Sequence, residues 1–89
     1  MKQNNQPVDV ISVCSADGQI KPLRLRLKDE QDQLVRIDIE EILSTKQITY
    51  VGIEAQIFLC RAKVWGREWL FELKYLFRSH IWWMLGRVY

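Results

Sequence analysis

The sequence predicts an all-β fold of five to six antiparallel strands, rolled into a small SH3-like or OB-like barrel. Three observations carry that expectation. Apolar residues recur at every second position through 23–27, 35–39 and 69–77, the period of a strand with one buried face. Short polar or glycine-containing breaks separate the runs, at Ala16-Asp17-Gly18-Gln19, at 29–33 and at Gly66-Arg67, where tight hairpins turn. Hydrophobic residues form 48% of the 89 residues, four of them Trp. That is enough for one core, although a chain this short buries only about 60–65% of its unfolded surface.

Residues 1–7, rich in Gln and Asn and ending in Pro7, read as a disordered tail with nothing to bury. One small domain is expected over 8–89. Val8–Ser15 is a first strand by its branched residues, and Asp17-Gly18 supplies the left-handed geometry of a tight turn. The second strand covers Ile20 to Lys28, with Pro22 tolerated near its start or on an edge. Centring the next hairpin on Gln31 sets Leu27 opposite Val35, Leu25 opposite Ile37 and Leu23 opposite Ile39, all on one face. On the other face Arg24 meets Asp38, and Arg26 meets Arg36.

Residues 41–56 show no clean period, and Gly52 marks a bend, so an irregular crossover is expected there. Ile57–Trp65 is a strand. A two-residue Gly66-Arg67 loop pairs Val64 with Trp69, Ala62 with Phe71, Cys60 with Leu73 and Phe58 with Tyr75, and sets Arg61 against Glu72. The segment 67–77 also fits an amphipathic helix, but Trp69, Phe71, Leu73, Tyr75 and Phe77 share strand parity, and aromatic residues favour strands. The run IWWMLGRVY closes the fold after a turn near Arg78-Ser79, and Gly86 within it signals a bulge.

At this point KPLRLRL, IEEILS, FELKY and the closing Trp-rich run ending in RVY together resemble short, uncharacterised β-rich proteins of gram-positive bacteria. The resemblance implies a compact all-β domain and brings no catalytic or binding residues with it.

Little in the composition points to chemistry. A formal net charge of +2 is too small to imply nucleic acid by itself. Cys14 and Cys60 lack metal-ligand or redox spacing and read as reduced core thiols of a cytoplasmic protein, a disulfide between them being the other arrangement. The start MKQNNQP is polar and lacks the apolar central segment of a signal peptide, so no secretory leader is expected, and no apolar run is long enough to span a membrane as a helix. His80 sits beside a turn, where a lone histidine is ordinarily solvated; a general base would need an orienting partner. No metal, cofactor or small-molecule substrate is evident, and the expectation is a protein without enzymatic activity.

Two surfaces compete as binding sites. Adjacent Trp82 and Trp83 cannot both face one core from a strand, so the C-terminal strand, through Ile81, Trp82, Trp83 and Leu85, is a candidate contact for a protein partner or a homodimer. The structural alternative is a barrel wall covered by 41–56. The second surface is the row Arg24, Arg26, Lys28 and Arg36, extended by Lys21, Arg61 and Lys63, which could hold an anion or nucleic acid. Neutralisation of the Arg26–Arg36 clash by Asp38 or a loop carboxylate is its structural alternative. Leucines rather than aromatic residues alternate with these cations.

Overall fold

Alternation does set the architecture. A computed structural model describes residues 5–88 as six strands: β1 (Gln6–Cys14), β2 (Ile20–Lys28), β3 (Leu34–Tyr50), β4 (Ile53–Val64), β5 (Arg67–Leu76) and β6 (Ile81–Arg87). Each pairs antiparallel with its neighbour in sequence, and β6 returns to β1 to close the barrel. The fold class is therefore all-β, a small closed barrel, and 67–76 is strand rather than helix, with Phe77 opening the turn to β6. Gln6 and Pro7, expected in the tail, belong to β1 and pair with Met84 and Trp83. The rest of that tail, residues 1–4, lies outside the described residues.

The interior is filled by one parity of β2 to β6. Leu25, Ile37, Cys60, Phe71 and Leu73 are essentially inaccessible and form one cluster with Phe58, Trp69, Tyr75, Trp82 and Met84. Trp82 stands at the centre of an aromatic group, its ring 4.8 Å from Tyr75 and 5.6 Å from Phe58. Such tilted contacts add about 0.5–1.5 kcal/mol per pair to the effect of burial.

Irregularities bend the sheet where closure demands it. The β2–β3 register is as predicted from Leu27–Val35 to Arg24–Asp38, but Leu23 does not face Ile39. The β1–β2 pairing runs Ile11 to Arg24 and then Ser12 to Pro22, leaving Leu23 as an extra residue. The bulge turns Leu23 outward and Pro22 inward. Ile39 pairs with Ala62 instead, across β4. The Gly86 bulge does occur: Glu72 faces Gly86, Leu73 faces Met84, and Leu85 is extra.

Residues 41–56 are not a crossover. They form the distal part of β3, a turn at Val51-Gly52 and the start of β4. Two bulges, at Glu40 and Leu43, break the alternation, and most side chains beyond them face water on both sides. Without a buried face no period is written into the residues. The β4–β5 hairpin also differs: it turns on Trp65-Gly66, so Ala62 pairs with Trp69, Cys60 with Phe71 and Phe58 with Leu73. The slip is two residues, so every side chain keeps its face. Arg61 consequently lies opposite Leu70 rather than Glu72.

Both turns have positive φ at each central residue, 50° and 77° at Val51-Gly52, 51° and 76° at Trp65-Gly66, the type I′ geometry that suits strand twist. Glycine meets that demand freely; valine, branched at Cβ, does not. Val51 is 82% exposed, so no packing offsets the strain. Val51→Asn is expected to stabilise the fold by about 1 kcal/mol, read as a melting temperature raised by roughly 4–8 °C.

Candidate functional site

Strand β6 sorts its two tryptophans. Trp82, expected among the contact residues, is 6% exposed and belongs to the core, as does Met84. Ile81, Trp83 and Leu85 carry the opposite parity and face outward, Ile81 being 43% exposed and the other two half-buried. Register identifies their neighbours. Trp83 lies beside Pro7 on β1 and Lys74 on β5, and Ile81 beside Leu76. One strand further, Leu76 faces Ala55, Lys74 faces Ile57 and Glu72 faces Leu59. The outer wall of β4, β5 and β6 is thus largely apolar.

Two of these outward residues show that the wall has its own packing. Ala55 and Ile57 are buried, yet neither belongs to the interior cluster. The sequence carried a signal for this: Ile57-Phe58-Leu59-Cys60 is apolar at both parities, as in a strand packed on both faces. The candidate contact surface is therefore Ile81, Trp83 and Leu85 together with Leu59 and Leu76. Residues 41–56 do not cover it as a crossover.

The basic row occupies another face. Arg24 and Arg36 both donate to Asp38, at 2.7 and 3.2 Å, and Arg26 donates to Asp9 at 2.9 Å. Lys28 reaches Asp32 at 3.5 Å. The Arg26–Arg36 juxtaposition is real, and carboxylates on either side neutralise it. Asp9, on β1, is the partner that the two-strand register could not reveal. These pairs are exposed, so solvent and salt screen them and each contributes little to stability. Arg24, Arg26 and Arg36 also rim a cavity of about 550 Å³ with Ile11 and Leu34. Arg61 is committed elsewhere, to Glu40, Glu41 and Glu68, and the Glu41 hydrogen bond raises its already high pKa.

The remaining reactive side chains are dispersed. His80 is exposed, with Nδ1 2.7 Å from the Tyr75 hydroxyl. Cys60 is in the core as expected, and burial pushes its thiol up to about 12. Cys14, expected to be internal, is exposed at the last position of β1, where it pairs with Ile20 beside the hairpin turn. Both thiols are free. Among the described residues no group of His, Cys, Asp and Glu is arranged to hold a metal ion, and no helix is long and apolar enough to cross a membrane.

Comparison with known proteins found no matching family model, no similar curated protein and no similar solved structure.

Two outcomes follow from this electrostatics and burial. A thiol-reactive dye should label Cys14 promptly in the folded protein and Cys60 only on unfolding; equal rates would contradict the described core. The hydrogen bonds from Arg36 and then Arg24 hold the Asp38 carboxyl below its ordinary value of 3.8. A depressed folded-state pKa adds stability above the unfolded value and loses it as pH falls through the folded one. Asp38→Asn should therefore lower stability to urea at neutral pH and flatten its decline in acid.

Proposed function

We propose that this protein is a non-catalytic interaction module that holds a protein partner, or a second copy, against the outer wall of β6. The observation that carries this reading is the outward Trp83. It lies between Pro7 and Lys74 in register, with Ile81 and Leu85 flanking it on the same face. Tryptophan offers a large contact area with few rotatable bonds and dominates many interfaces when a partner desolvates it. The free thiols Cys14 and Cys60 agree with a reducing, cytoplasmic setting.

The second surface supports a weaker reading, nucleic-acid binding through Arg24, Arg26, Lys28 and Arg36. The cavity that the three arginines rim favours it; the carboxylate already beside each cation counts against it. Binding there would weaken steeply with salt.

Trp83→Asp separates surface from core. Its side chain faces outward, so the melting temperature should change by only a few degrees while partner affinity falls by about thirtyfold or more, as loss of a central tryptophan implies. A photoreactive residue at position 83 should give discrete protein adducts in the expressing cell, and one at the exposed Lys63 should not. Equal adduct patterns at both positions, or none at 83, would reject the reading.

A further inference from the structure

The distal arm of β3 has an open edge. Pairing with β2 ends at Arg24–Asp38, whereas pairing with β4 continues from Ile39–Ala62 to Tyr50–Ile53. The cause lies in β2: the Leu23 bulge bends the strand away, and Pro22 has no N–H to give. Beyond the bulges at Glu40 and Leu43, residues 44–50 run in unbroken register with β4. Their other edge meets no strand among the described residues.

The turn determines which groups that edge displays. In a two-residue hairpin the flanking residues, here Tyr50 and Ile53, form a hydrogen-bonded pair, and such pairs then alternate along the ladder. Ile48, Lys46 and Ser44 accordingly spend their backbone groups on β4. Thr45, Gln47 and Thr49 turn their N–H and C=O groups to the free side, and all three are exposed. An unbulged, largely uncharged edge of this kind is a template for another strand.

We infer that this edge pairs with the same edge of a second copy, antiparallel, about a two-fold axis through Gln47. That register places Thr45 opposite the partner's Thr49 and Gln47 opposite the partner's Gln47. About six backbone hydrogen bonds then form, two for each facing pair, and all the outward groups of residues 45, 47 and 49 are used. Charge favours the match. Lys46, the one charged side chain in the segment 44–50, faces the partner's Ile48, so no like charges stand directly opposite each other. Ile48 shares a face with Ala55 and Leu76 by register, and pairing would make the two Ile48 side chains diagonal neighbours across the new ladder. The inference concerns a different surface from the β6 wall and stands independently of it.

Sedimentation of the reduced protein from micromolar to millimolar concentration should show the mass rising from 10.7 kDa toward twice that value. Gln47→Pro removes only an outward N–H, a substitution edge strands tolerate. It should weaken association more than tenfold with little change in melting temperature. If that variant fails to fold, Gln47→Lys serves instead: two lysines would face each other at the axis, and association should fall at low salt and recover as salt screens them. In a Cys14→Ser background, Gln47→Cys should cross-link two copies on oxidation, and Thr49→Cys alone should not. A monomeric mass at millimolar concentration would overturn the inference. So would a dimer that ignores changes at Gln47 and dissociates with Trp83→Asp, an outcome that supports the β6 wall instead.

Discussion

Trp82 packed between Phe58 and Tyr75 is the contact on which the surface depends. A barrel this narrow admits one layer of inward side chains, and a tryptophan fixes the parity of its strand more firmly than smaller residues could. With Trp82 inside, Met84 is inside and Ile81, Trp83 and Leu85 are outside. A one-residue slip would exchange the two tryptophans and expose the core face of β6 along its length. The apolar outer wall is the complement of that choice, and Ala55 and Ile57, which share its parity, are buried outside the interior cluster.

Charge on the opposite side follows a different logic. The arginines of β2 and β3 were fixed outward by leucines and isoleucines that fill the interior, so their juxtaposition is a consequence of core parity. Asp9 and Asp38 then answer the repulsion from either flank. The row that looks like a phosphate grip in one strand becomes, across three strands, a nearly balanced lattice. A cation is informative about a ligand only when the carboxylates of the adjoining strands are counted with it.

Legibility tracked burial. The β2–β3 register could be read from Leu25, Leu27, Val35 and Ile37 because each has one wet neighbour and one dry side. The strand state of 69–76 was readable for the same reason, and Gly86 announced its bulge. The Leu23 bulge carried no such mark: Leu and Pro are both apolar, so the parity change was silent. The distal arm of β3 was opaque because it buries neither face. The β4–β5 turn was placed one residue too late, which slips the register by two, and a slip of that size keeps an apolar partner for every inward side chain. In the candidate surface, Ile81, Trp83 and Leu85 face outward while Trp82, grouped with them in the sequence reading, lies in the core; adjacency showed that the two tryptophans must part, but not which way. The partners Asp9, Leu59 and Leu76 depend on distant strands that no local pattern places.

The six strands follow one another in space as in sequence, and this order concentrates the entropic burden in one place. Five of the ladders close short loops, while β1 and β6 join residues near opposite ends of the chain. Among the described residues that last seam rests on Gln6, Pro7 and Val8, against ten matched positions between β4 and β5. It is the stave from which the barrel would first spring open. Parting there would admit water to the aromatic centre while the remaining hairpins stayed whole.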